Sequence, residues 1–261
     1  MIKINDIYCG YNEEVVLKGV SFEVNNGEHL GIIGPNGSGK TTLLKAMTKL
    51  LNCFSGTIEI LGKDIRQMGI KELSKKIAVV TQTPSFVEDL RVMDFVLLGR
   101  IPHFRWFQIV ESKRDIEICQ ECMHLTDTLR FKDRLMSELS GGERQLVSIA
   151  KALAQEPSII LLDEPISYLD ISHQVRILDT ITSLIKDRGM TAITVLHELN
   201  LASEYCERLI LLDRGTIKMI GTPNEVLQYD VIEEVYNTVV VVRQNPISHK
   251  PYVFVVPKVC R

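Results

Sequence analysis

Apolar positions along this chain come in short runs whose spacing changes from region to region. Ile2-Lys3-Ile4 and, further on, Ser21-Phe22-Glu23-Val24 alternate apolar with polar residues, with the short apolar runs Ile7-Tyr8 and Val15-Val16-Leu17 between them. A period of two predicts half-buried strands. Asn25-Asn26-Gly27 predicts a turn, followed by a short buried strand at Leu30-Gly31-Ile32-Ile33 and a helix at Leu43-Leu44-Lys45-Ala46-Met47. Strands are predicted again at 56–60 and 77–81, the second ending directly at Gln82. From about 85 to 155 strand signals vanish and helical periods take over at 93–100, 112–123 and 142–154. Sheet-forming runs return at 158–163, 191–196 and 209–212, separated by helical stretches that include 172–186. Apolar runs without alternation, spaced by helices, predict a parallel sheet covered on both faces. The tail from about 231 predicts a short helix and two β-rich runs, at 239–243 and 252–256.

The expected organisation is therefore α/β. A core of residues 1–84 and 156–230 is interrupted by a helical subdomain at 85–155 and followed by a short extension at 231–261. Length permits it, since 261 residues suffice for one large α/β domain with a subdomain. At 45% hydrophobic and 24% charged residues, disorder is not expected. A net charge of −3 argues against a dedicated nucleic-acid binder, which carries a basic excess. No apolar run approaches the roughly 18–20 residues that span a bilayer, and the first residues lack a signal-peptide pattern, so a soluble intracellular protein is expected.

Gly34-Pro35-Asn36-Gly37-Ser38-Gly39-Lys40-Thr41-Thr42 fits the phosphate-loop pattern at every fixed position, between a predicted strand and a predicted helix. Glycines at 34, 37 and 39 let the backbone aim successive N–H groups at phosphate oxygens. Lys40 adds a point charge for the β- and γ-phosphates, and the Thr41 hydroxyl is a ligand for Mg²⁺. A nucleoside triphosphate is the expected ligand.

Two further stretches bear on chemistry. The apolar run 159–162 ends in Asp163 and Glu164. At the carboxyl end of a buried parallel strand, Asp163 suits a water-mediated hold on Mg²⁺, and Glu164 suits polarisation of a water attacking the γ-phosphate. Read alone, such an acidic pair is also a common helix cap. Leu139-Ser140-Gly141-Gly142-Glu143 opens a predicted helix, with Ser140 as N-cap and two glycines exposing N–H groups at its positive end. That makes a second anion site, or an ordinary helix start.

Taken together, these motifs resemble those of the ATP-binding cassette family, the ATPase subunits of ABC transporters, across nearly the whole chain. Residues 34–41 are similar to its Walker A motif, 159–164 to its Walker B motif, and 139–143 to its signature. Gln82 resembles the Q-loop glutamine, His197 the switch histidine, Tyr11 the aromatic residue that stacks on adenine, and Asp170 the D-loop aspartate. Tyr168 departs from the small residue common there, which implies altered packing. The resemblance implies a phosphate-loop NTPase core with an N-terminal antiparallel β subdomain and an inserted helical subdomain. It also implies ATP and Mg²⁺, with the metal at Thr41, Gln82 and Asp163, and catalysis by Glu164, His197 and Gln82. Two copies would close head to tail around two ATP molecules, the signature of one facing the phosphate loop of the other.

Finer likenesses point to importers. Residues 94–103 resemble the V-x-x-G-R-x-P-H stretch of cassettes for iron–siderophore, haem and vitamin B12 uptake, and Glu143-Arg144-Gln145 and 197–202 are similar to that group. This implies a membrane permease, an extracytoplasmic binding protein reached through it, and a peripheral place on the cytoplasmic face. Molybdate or tungstate import and a non-transport role in iron–sulfur assembly remain alternatives. The aromatic and basic stretch 104–107 reads as a loop facing a membrane partner rather than nucleic acid. The six cysteines are expected as free thiols, with Cys119 and Cys122 as neighbours on one helix face rather than a metal or redox pair.

Overall fold

In the computed structural model, residues 1–12, 14–81, 89–104 and 110–257 are described. The elements, in chain order, begin with strands β1 (Ile2–Tyr11), β2 (Glu14–Val24) and β3 (His29–Ile33), then helix α1 (Lys40–Met47). Next come β4 (Cys53–Ile60), β5 (Lys63–Asp64), α2 (Ile70–Ser74), β6 (Ile77–Val80), α3 (Val92–Leu97), α4 (Lys113–Leu125) and α5 (Gly141–Ala154). Then follow β7 (Ile159–Asp163), α6 (Ile171–Arg188), β8 (Thr191–Val195), α7 (Leu199–Tyr205), β9 (Arg208–Asp213) and β10 (Thr216–Gly221). Helices α8 (Pro223–Val226) and α9 (Tyr229–Tyr236) precede the strands β11 (Val240–Gln244) and β12 (Pro251–Val255). These elements fall into two units, Met1–Gln67 with Ile193–Arg261, and Met68–Ala192.

The first unit holds an antiparallel sheet in the order β2-β1-β4-β5. The two runs read separately at 15–17 and 21–24 form one continuous strand, β2, whose later residues alternate buried and exposed. A second sheet of this unit places β10, β9, β3 and β8 side by side. All five residues of β3 are buried, and it runs parallel to β9 with Ile32 opposite Ile210. Burial on both faces is why these strands lack polar alternation. The last strands, β11 and β12, form an antiparallel hairpin. Asn200 latches it to α7, donating to the Val253 carbonyl at 3.2 Å and accepting from the Val253 N–H at 2.7 Å.

Within the second unit β6 and β7 pair in parallel, Ile77 opposite Ile159 and Val80 opposite Leu162. Helix α5 buries Leu146, Val147, Ile149, Ala150 and Leu153, and α6 buries Ile177, Leu178, Ile181, Leu184 and Ile185. These are the helical spacings of an apolar face. The helix predicted at 93–100 ends earlier: α3 stops at Leu97 and tightens into a 3₁₀ turn over Leu98–His103. Pro102 lies in that turn and has no N–H for an α-helical bond.

One expectation is overturned. Cys9 and Cys53 are joined as a disulfide, because antiparallel pairing of β1 with β4 sets them opposite each other with Cα atoms 4.3 Å apart. Cys119, Cys122 and Cys206 are free and buried. Burial pushes the Cys119 and Cys122 thiols up to about 12. No helix among the described residues is long and apolar enough to cross a membrane.

Candidate functional site

The loop between β3 and α1 is shaped by positive φ angles at Gly34 (148°), Gly37 (78°) and Gly39 (104°). At Gly34 the backbone runs so close to β9 that a Cβ would stand 2.1 Å from the Leu212 carbonyl oxygen. Only glycine fits there. The loop is tied by Ser38 N–H to the Pro35 carbonyl (3.2 Å) and by Gly215 N–H to the Ser38 carbonyl (3.0 Å). Lys40 is buried at the start of α1, its Nζ donating to the carbonyls of Gly34 (2.8 Å) and Pro35 (2.9 Å). Thr41 and Thr42 continue α1, and Leu43, Leu44, Ala46 and Met47 anchor that helix in the core. Backbone N–H groups of a glycine loop before a helix, with a lysine beside them, are the donors that anions take.

Tyr11 ends β1, 42% exposed, with Lys45 Nζ 3.3 Å from its hydroxyl and 5.5 Å from its ring centroid. The phenol is thus held beside α1 with its ring accessible. His197 follows β8 and is exposed. Leu196 N–H, one residue earlier, donates to the Ile32 carbonyl at 3.0 Å. His197 and Gly34 therefore leave the ends of neighbouring strands, and Tyr11, the glycine loop and His197 all belong to this unit.

The second unit carries the acids. Asp163 ends β7 half-buried, and Glu164 follows in left-handed backbone, φ 52°. A non-glycine residue in that region is strained unless its surroundings hold it. Ser167 does so, its Oγ donating to Glu164 Oε2 at 3.1 Å and its N–H to the Glu164 carbonyl at 3.3 Å. Tyr168 is also left-handed, φ 64°, and fully exposed. Asp170 caps α6, accepting from the His173 N–H (2.9 Å) and the Ser172 hydroxyl (2.7 Å). Those bonds, the backbone one first, hold its carboxyl well below the usual range.

Residues 139–143 form a capped helix start. Leu139 is buried; Ser140 is the N-cap of α5, its Oγ accepting from the Glu143 N–H at 3.4 Å. Glu143 returns a bond from the Ser140 N–H at 2.9 Å, which lowers its own pKa. This reciprocal box fixes the first turn. A Cβ at Gly141 would meet Leu169 Cδ2 at 3.4 Å, and one at Gly142 would collide with the His173 ring. Residues 139–143 and 169–173 are thus brought together. Gln82 lies outside the described residues, as do residues 105–107 of the aromatic stretch. Sequence reasoning missed His173, Ser167 and Lys45; only a histidine three positions after a capping aspartate offered any signal.

The ABC transporter family model matches residues 17–167. The petrobactin import ATP-binding protein FpuC of Bacillus anthracis is 37% identical over 252 residues, covering 97% of this chain and 92% of the relative. The ferric enterobactin transport ATP-binding protein FepC of Escherichia coli K12 is 36% identical over 248 residues, covering 94% and 90%. Among solved structures, the dimeric ATP-binding cassette MJ0796 bound to ADP and Pi superposes with a TM-score of 0.74 at 30% identity, covering 85% of this chain and 98% of that one. The glycine loop between β3 and α1, the capped start of α5 and these similarities agree, and the chain belongs to the ABC transporter family, among its ATP-binding, ATP-hydrolysing subunits.

Proposed function

We propose that this chain is the ATPase subunit of an importer for ferric siderophores or similar metal chelates, working as a pair of copies beneath a membrane permease. What supports the iron assignment is that relatives matching over nine-tenths of the chain are siderophore import subunits, together with the Gly99-Arg100-Ile101-Pro102-His103 stretch. The working division is a nucleotide-binding core (1–84 and 156–230), a signature subdomain (85–155) and an extension (231–261). The protein would act at the cytoplasmic face, and an extracytoplasmic binding protein would deliver cargo to the permease.

In this reading the residues 34–42 bind the phosphates and Tyr11 stacks on the adenine. Thr41 and Asp163, with Gln82, offer hydroxyl, carboxylate and amide oxygens, the hard donors Mg²⁺ takes. When bound, the metal offsets charge on the β- and γ-phosphate oxygens. Glu164 orients or deprotonates the attacking water, helped by a backbone that fixes where its carboxylate points. His197 contacts the γ-phosphate. Leu139–Glu143 closes on the nucleotide of the partner copy, with Asp170 beside it, so ATP bridges two surfaces that separate after hydrolysis.

The decisive experiment is copurification of the tagged protein from detergent-solubilised native membranes. Recovery with a many-helix permease whose reconstituted complex takes up ferric siderophore on ATP addition is the expected result. Uptake of molybdate or tungstate instead would overturn the iron assignment. Recovery only with soluble iron–sulfur scaffold proteins would overturn import altogether.

A further inference from the structure

The stretch that suggests iron import has a structural task of its own, at the far end of the signature helix. Arg100 is almost completely buried, and its Nη1 donates to the Ala154 carbonyl at 2.6 Å, the last residue of α5. The same nitrogen reaches Glu156 Oε2 at 2.7 Å, while Nε donates to Asp115 Oδ1 at 2.9 Å. His103 Nε2 lies 2.9 Å from the next carbonyl, that of Gln155. At Gly99 a Cβ would stand 2.2 Å from the Lys151 carbonyl oxygen, one turn earlier on α5. Three positions of one five-residue stretch thus grip the carboxyl end of the helix whose amino end carries Ser140, Gly141 and Gly142.

A buried ion pair contributes little net stability relative to apolar packing, so what this cluster supplies is direction. A guanidinium at the negative end of a helix satisfies terminal carbonyls that otherwise lack partners. Helix α5 is about 21 Å long at 1.5 Å per residue. The amino end of α5 lies against Leu169 and His173, so contacts at both of its ends fix the angle at which it presents its first turn.

We propose that Arg100 and His103 are positioning residues for the signature motif, holding α5 at the angle that presents Ser140–Gly142 to the nucleotide of a second copy. The proposal rests on the paired-cassette reading above. Neither residue would touch ATP.

The test uses the full chain carrying Glu164→Gln, with ATP-driven dimerisation followed by sedimentation and ATP affinity of the monomer by titration with a fluorescent ATP analogue. Arg100→Lys, which cannot reproduce the guanidinium's fork of bonds, is expected to weaken dimerisation roughly tenfold, while monomer affinity stays within about twofold. His103→Ala, which removes one bond at a less buried position, is expected to shift dimerisation in the same direction and covers the case in which Arg100→Lys folds poorly. Asp115→Asn keeps both helix-end bonds and is expected to lower the melting temperature without moving the dimerisation constant. Equal dimerisation constants in parent, Arg100→Lys and His103→Ala would overturn the positioning role alone. A parent that stays monomeric with ATP would overturn both it and the paired reading.

Discussion

The imidazole of His173 occupies the space into which any side chain at residue 142 would project, with His173 Cδ2 2.2 Å from a Cβ placed there. The ring cannot retreat easily, because its Nδ1 lies 2.9 Å from both carboxylate oxygens of Asp170. Gly142→Ala should therefore push α5 and the 169–173 turn apart at the signature. We expect steady-state ATPase activity to fall by roughly ten- to a hundredfold, with ATP binding to the monomer unchanged. A loss of monomer affinity as large as the loss of turnover would contradict this account.

Lys40 ties the loop to itself and, in the proposed reading, is the cation that meets the triphosphate. Its ammonium is satisfied by the carbonyls of Gly34 and Pro35, so the lysine both closes the loop and is the charge that a triphosphate would draw away. Lys40→Ala should lower ATP affinity by roughly a hundredfold, as removal of a buried charged partner does. Isothermal titration measures this directly, and near-wild-type affinity would sink the assignment.

Stability should depend on pH through His29. This residue begins β3, buried, with Nε2 2.9 Å from Thr194 Oγ1. Burial pulls its pKa down from 6.5 to about 4. The unfolded chain therefore binds the proton first as pH falls, so this contribution is present above pH 6.5 and drains away toward pH 4. Denaturant unfolding at pH 7.5 and pH 5 should differ by about 2 kcal/mol from this group. His29→Gln should remove that part of the slope, and an unaltered slope would assign it elsewhere.

The Cys9–Cys53 bond closes a chain segment with a sequence separation of 44. On loop-closure entropy, reduction should destabilise the protein by roughly 2–4 kcal/mol. Thermal melts with and without dithiothreitol test this, with Cys53→Ser as the variant whose melt should no longer respond to reductant.

Much of this was legible from the chain itself. The phosphate loop, β7 ending at Asp163, and the Ser140 cap are local patterns, each decided by residues within a few positions of one another. Period and capping chemistry carry such features. What escaped was non-local. Cys9 meets Cys53 only through pairing of β1 with β4, and the spacing of 44 residues says nothing about that register. His173 against Gly142 and Arg100 against Ala154 depend on helices meeting in space. The strand β10 was missed because its half-buried alternation at the sheet edge is weak. That the α-helical period would not hold through 98–102 was readable in Pro102, which lacks the N–H for a bond to the Leu98 carbonyl.

The bridge between Cys9 and Cys53 also makes a covalent ring of the intervening chain, and that ring contains both Tyr11 and the whole phosphate loop. A peptide bond cut anywhere inside it, for instance at the Asn25-Asn26-Gly27 turn, would leave the two pieces attached. In the oxidised protein the aromatic residue and the phosphate cradle would then migrate as one species on a non-reducing gel, and separate once thiol was added.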